Sequence, residues 1–378
     1  MDTVHIAIIG GGLSGLFAAY QLTQQGIHDY VVIEAKEAIG GRILSLNIDD
    51  ETKAGTHTFD LGPTWYWPDY QPQLRQVIDT LDLPTFEQHE TGDMLIEQAS
   101  GQPNRMRGYP NVPASVRLYG GMGALIDALA DRLPPANIRT GLTVKRLNSG
   151  EDRVEINVAD TSGASTTLRA ERVLLAIPPR IAVSRIVFDP PLPESLVTAW
   201  RHTNTWMAPH AKHVAVYDTP FWREQQLSGE ARSGRGPMAE IHDASVPDGI
   251  GALFGFIGVP PNVRASLPEG ALLEKCRMQL IRLFGDKAAN PVAHVIKDWA
   301  ADSFVATPED LVGYGMHSSA PASTASSAPW HGRVIGIASE WSPQFPGYVA
   351  GAVEAASIGV RELLVQDKRS MRTQSLLH

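Results

Sequence analysis

Three glycines spaced Gly10-x-Gly12-x-x-Gly15 follow an apolar, β-branched run and open a helical pattern. Gly10 permits a tight turn, Gly12 lets backbone N–H groups close on a pyrophosphate, and Gly15 lets helix and strand pack closely. With Leu13 and Ser14 they bring the positive end of a helix against that anion. Glu34 and Ala35 end the next apolar run, about 20 residues further on, where an acid accepts hydrogen bonds from a ribose diol. The alternative for Glu34 is a carboxylate that only caps its strand. Gly40-Gly41-Arg42 follows after a short loop. Its glycines can turn backbone amides toward a flat ring or phosphate, and its arginine fork can neutralise a pyrophosphate bidentately. Placed there, this second glycine pair with its arginine selects FAD over a nicotinamide dinucleotide.

Other chemistries find no support. The sole cysteine, Cys276, allows neither an intrachain disulfide nor a thiolate metal cluster. At i±4 spacing it shares a helix face with Leu272 and Leu280, which makes it a core residue. Twelve histidines form no HxxxH or HxH cluster, so His202, His210 and His213 are expected to be solvated or core and no metal is expected. No GxSxG elbow suggests hydrolysis.

The elements that must position these residues begin with a βαβ unit: a buried strand over 4–9, a helix over 16–22 and a strand over 30–33. Helices are expected over 71–81, 120–133, 272–284 and 351–364. Strands are expected over 138–147, 153–159, 166–169 and 172–177, then 213–217, 253–257, 294–299 and 333–338. Residues 101–113 read as turn-rich and 315–330 as a Ser/Ala/Pro loop. This is an α/β chain: a discontinuous Rossmann-type FAD-binding domain (1–68, 118–200 and 330–378) and a smaller mixed α+β substrate domain (69–117 and 201–329).

At 378 residues the chain is long enough for about two domains, at roughly 100–200 residues each. Apolar residues at 43% and charged residues at 19% exclude a disordered tail or a membrane bundle. A net charge of −9 argues against nucleic acid or an anionic bilayer as partner. No apolar stretch is long enough to span a membrane. With no secretory leader visible and a single thiol, the expected location is cytoplasmic.

In ordered blocks over most of its length the chain resembles the flavin-containing monoamine oxidase family of FAD-dependent amine oxidases. The blocks are GGGLSGL (10–16), IEAKEAIGGR (33–42), FDLGPTWYWP (59–68), YGGMGALIDAL (119–129), VLLAIPP with FDPPLP (173–193), PFWRE (220–224) and SEWSPQFPGYVAGAVEAA (339–356). The resemblance implies that Gly62, Pro63 and Thr64 lie beside the isoalloxazine and that Val144 offers its backbone to the adenine. Glu340 resembles an acid near the ribityl and pyrophosphate, in a segment where Ala338 replaces the family's glycine. Gly347-Tyr348 matches the segment, continued by Val349, whose tyrosine forms one wall of an aromatic cage and a catalytic surface. Trp299 resembles the tryptophan beside the flavin, or else is an ordinary core residue. Lys212 resembles the lysine that holds a water against the flavin. Alternation puts it on one strand face with Val214 and Val216, unless it snorkels from the strand end.

Two departures shape the expectation. Pro308 stands where membrane-bound members carry a flavin-tethering cysteine, so FAD is expected to be non-covalent. Glu309 replaces the second cage tyrosine, leaving Trp65, Tyr66, Trp67 or Phe345 to complete the wall; Trp65, Trp67, Phe345 and Tyr348 are the expected substrate contacts. The implied reaction is oxidation of a primary amine, aromatic ones included, to an imine and then an aldehyde, with O2 reduced to H2O2. An L-amino-acid oxidase would need a cation for the substrate carboxylate, which Arg105 or Arg107 could supply. A renalase-like dihydronicotinamide oxidase, a desaturase or porphyrinogen oxidase, and a catalytically silent flavin-binding subunit are the remaining alternatives.

Overall fold

The computed structural model describes residues 2–50, 55–247, 249–268, 270–312 and 317–375. Strand β1 (Thr3–Ile9), helix α1 (Leu13–Gln24) and strand β2 (Tyr30–Ile33) form the expected βαβ unit, with β1 and β2 parallel. Burial on both faces explains the unbroken apolar run, because no residue from Ile6 to Ile9 is more than 4% exposed. On its other side β1 runs parallel to Ser165–Leu175. The sheet continues through the antiparallel strands Val154–Ala159 and Thr143–Ser149, with Ile138–Arg139 beside β2 at its opposite edge. Val334–Gly336, from late in the chain, pairs in parallel with the end of Ser165–Leu175.

Residues 165–175 correct the expectation of two strands, at 166–169 and 172–177. Glu171, which the expectation left between the two strands, and Arg172 beside it are held by partners. Glu171 accepts from His5 at 3.1 Å, and Arg172 meets Asp367 of the C-terminal helix at 3.1 Å. His5 also contacts Asp367 at 2.9 Å. That anchorage lets the polar tail continue the helix, which spans Val349–Ser375 and not only 351–364.

The helix expected over 71–81 is found at Pro72–Thr80 and buries Leu74 and Ile78 in one core cluster with α1 and the C-terminal helix. The segment expected to be turn-rich holds an edge strand, Asn104–Arg107. All four of its side chains are exposed, so it carries no alternation to read. Residues 315 and 316 of the expected loop lie outside the described residues; from 317 to 330 there is no helix or strand. No helix among the described residues is long and apolar enough to cross a membrane.

A second sheet runs in the order Ala293–Asp298, Ala211–Tyr217, Gly251–Ile257, Met238–Asp243, Leu227–Ser233, Asp93–Glu97, Asn104–Arg107. Helix Ala271–Phe284 covers one face, and Cys276 is buried beneath it, its thiol pushed up to about 12 by desolvation. The other face carries Lys212, Val214 and Val216 and closes over the site.

His213 points into the helix-covered face. It is completely buried, and neither ring nitrogen has a hydrogen-bond partner among the described residues. Burial, reinforced by His294, drops its pKa from 6.5 to about 3. Between those values the unfolded chain takes up a proton that the native chain refuses, so stability is intact above pH 6.5 and falls as the pH drops toward 3. Replacing His213 by leucine is expected to add about 1–3 kcal/mol at pH 7, because two unsatisfied polar atoms leave the core. The gain should grow at pH 4.5; urea midpoints at the two pH values measure it, and a destabilised variant would refute this account.

Candidate active site

A cavity of about 840 Å³ runs from the glycine turns to the Lys212-bearing face of the second sheet, opposite the helix-covered one. Of the site residues singled out by the sequence, all but Gly15, Glu340 and Phe345 line it. Gly15 works from behind: a Cβ there would stand 2.0 Å from the Gly10 carbonyl, so its role is the close seating of α1 on β1. Gly10 has φ +111°, which side-chain-bearing residues rarely adopt.

Gly12 differs from both. Its backbone is extended (φ −78°, ψ −178°) as the residue that starts α1. A Cβ there would meet the protein only at an ordinary 3.7 Å, at the Gly41 Cα. The protein's own packing therefore does not require glycine at this position; its absent side chain leaves the backbone open to the cavity. Glu34 is buried, its two oxygens accepting the N–H groups of Gly11 (2.7 Å) and Lys36 (2.9 Å). It thus ties the two loops together while still lining the cavity.

The fork of Arg42 is occupied in part. It meets Glu340 bidentately, at 2.5 and 3.0 Å, and donates to Ser339 Oγ at 3.1 Å. Three of its five N–H groups are spent and two remain for a ligand. Glu340, only 2% exposed, stands behind Arg42 and orients it.

At the far end Lys212 is buried, not snorkelling. Its Nζ donates to the Gly62 carbonyl at 3.0 Å and to Thr64 Oγ1 at 2.5 Å, and lies 4.1 Å from the centre of the Phe254 ring. Burial pulls its pKa down to about 7, against the opposing pull of Asp60. Burial raises Asp60 in turn, with Lys212 and Arg117 holding it back, and its carboxylate accepts the Met122 N–H at 2.8 Å. Trp299 donates Nε1–H to the Leu61 carbonyl at 3.2 Å, so it props the 60–64 turn as well as lining the cavity.

The aromatic wall centres on Tyr348, with Trp67 beside it and Trp206 and His317 added to the residues the sequence offered. Tyr348 lies 4.8 Å from Trp206, 5.0 Å from His317 in a stacked arrangement, and 6.5 Å edge-on from Trp67. Trp67 is steadied by Ser115 Oγ at 3.1 Å and Trp65 by Gln88 Oε1 at 2.7 Å. Phe345 packs against the core around α1 and offers its backbone to Tyr348. Tyr66 is buried in that core. Glu309 is exposed on a short turn whose neighbour Asp310 is buried against Arg180. Trp206 escaped sequence reading because it sits in a turn, between helix and strand, where no periodicity marks a facing side.

These residues fit FAD: a cradle that a Cβ at Gly12 would fill, a buried acid beside it, an oriented arginine and a buried lysine lie along one cavity. Comparison with known proteins gives the same answer. The family model described as flavin containing amine oxidoreductase matches residues 97–364, and one described as an NAD(P)-binding Rossmann-like domain matches 8–81. AofH of Mycobacterium tuberculosis, assigned as a flavin-containing monoamine oxidase, is 26% identical over 94% of this chain and 96% of its own length. Among solved structures, putrescine oxidase bound to putrescine superposes with a TM-score of 0.77 (21% identity, 96% of this chain and 99% of that one). Cyclohexylamine oxidase from Brevibacterium oxydans gives 0.78 (20% identity, 97% and 100%).

Proposed function

Because this chain belongs to the flavin-containing amine oxidoreductases, we propose that it oxidises a primary amine to an imine, which water hydrolyses to an aldehyde, with O2 reduced to H2O2. FAD, held along the cavity by the Gly10–Gly12 turn, Glu34 and Arg42, would supply the two-electron acceptor for the amine's α-carbon hydride and the route to O2. The chain's own residues bind, orient and exclude water. The observation that carries the reading is the Lys212 ammonium, buried beside Gly62 and Thr64 at the end of an aromatic-walled cavity. A positive charge held there opposes no solvent screening and stabilises negative charge that develops nearby. Tyr348, Trp67 and Trp206 form a dry wall in which an incoming ammonium loses its proton more readily, leaving the neutral amine that reacts. No dedicated general base is then needed.

Amine is favoured over amino acid because Arg105 and Arg107 lie on the exposed edge strand, outside the cavity lining. Non-covalent FAD is favoured because Cys276 is buried in the core of the second sheet, away from the cavity. Anaerobic mixing with phenethylamine, tyramine, putrescine and several L-amino acids tests the proposal. Amines alone are expected to bleach the flavin band. Bleaching by amino acids only would transfer the chain to the amino-acid oxidases, and no bleaching by any candidate would speak for a catalytically silent flavoprotein.

A further inference from the structure

Two carboxylates line the cavity among the described residues, Glu34 at the dinucleotide end and Glu240 at the other. Glu240 belongs to a row set by strand register: Lys212 pairs with Phe256, and Phe256 with Glu240. Directly paired residues project from the same face, and two strand spacings put the outer backbones about 10 Å apart. The next row carries Val214, Phe254 and His242. The cavity surface between the buried lysine and this acid is therefore aromatic: Phe256 and Trp65 line it, backed by the buried Phe254, which lies 5.5 Å from Phe256 and 5.2 Å from Trp65. Such a surface suits a methylene chain and, at its acidic end, a cation.

The groups that face Glu240 are Arg232, whose Nη1 is 2.6 Å away, and His242, whose Nε2 is 2.8 Å away. Arg232 also reaches Glu230 at 3.3 Å, so one guanidinium serves two carboxylates. Its side chain is 45% exposed and that of Glu240 31%, a pairing that water and ligands can exchange at little cost.

We propose that Glu240 is the distal anchor of the substrate: the amine oxidised here carries a second cationic group, which replaces Arg232 on the Glu240 carboxylate. The inference rests on the amine-oxidation reading above and narrows its substrate class from monoamines to diamines and other aminoalkyl cations. A charged hydrogen bond of this kind corresponds to about a ten- to hundredfold preference.

The experiment compares kcat/KM for cadaverine and n-pentylamine in the parent holoenzyme, in Glu240→Gln and in Arg232→Gln. The parent is expected to prefer the diamine by about ten- to hundredfold. Glu240→Gln should bring the ratio close to unity, and Arg232→Gln, which removes the competing cation, should lower the KM for cadaverine. Calorimetric titration with diguanidinobutane, which has two cations and no free amine, provides a readout apart from turnover; Glu240→Gln should weaken it at least about tenfold. A parent without preference, a ratio that survives Glu240→Gln, or equal calorimetric affinities would overturn the proposal. Should neither amine be oxidised while diguanidinobutane still binds in a Glu240-dependent way, the amine-oxidation reading fails and the distal cation site stands.

Discussion

Lys212→Met should lower turnover by about 10²–10³-fold while FAD stays bound, because methionine keeps most of the length and the apolar stem of lysine and removes the charge with its hydrogen bonds to Gly62 and Thr64. The parent's buried ammonium titrates near 7. It is a cation below that pH and a neutral amine above it, so the turnover of the parent should show a transition in this region. The methionine variant should lose that transition together with the rate. Stopped-flow reduction and reoxidation at pH 6 and pH 8.5 separate the two half-reactions. Kinetics and pH profile unchanged from the parent would remove Lys212 from the site. The prediction depends on burial: the same lysine exposed at a strand end would keep an ordinary pKa and carry little weight in the chemistry.

Gly12→Val should give a folded but colourless protein, with FAD affinity reduced by at least about a hundredfold, a loss near 2.7 kcal/mol. Valine accepts the extended backbone of residue 12, and its Cβ meets only ordinary contacts within the chain. Its methyl groups then occupy the space where a pyrophosphate would approach the start of α1. The flavin-to-protein absorbance ratio measures occupancy and circular dichroism reports the fold. A yellow variant with parental affinity would mean that the dinucleotide does not pass Gly12. The contrast with Gly15 is a useful control, because a side chain at Gly15 collides with the Gly10 carbonyl and disturbs the packing of α1 itself.

The cofactor half of the site was legible because its signals are local. An apolar run, a glycine turn and an acid ending the next strand all act within about 30 residues, and each sits where the structure has it. The 60–64 turn, Lys212, Trp299 and Tyr348 were reached through resemblance and also line the cavity. What escaped is set by pairing between distant strands. Met238–Asp243 mixes buried and part-exposed residues without regular alternation, so nothing local reveals that Glu240 and His242 face inward. Their direction is fixed by register with Phe256 and Phe254. Trp206 illustrates a second limit, because the turn that holds it is tied through the Thr205 N–H to Asp310, more than a hundred residues away. Glu340 shows a third: its acid could be recognised, but only the fork geometry shows that it holds Arg42.

The Arg42–Glu340 fork joins residues 298 apart, and Val334–Gly336 completes the sheet that contains β1. During synthesis the glycine turns emerge well before Glu340, so the guanidinium beside them has no acid to aim it until the intervening residues have been made. Any step of coenzyme capture that needs an aimed arginine thereby waits for residue 340, and a chain cut short before it would keep its glycine loops and leave its arginine unaimed.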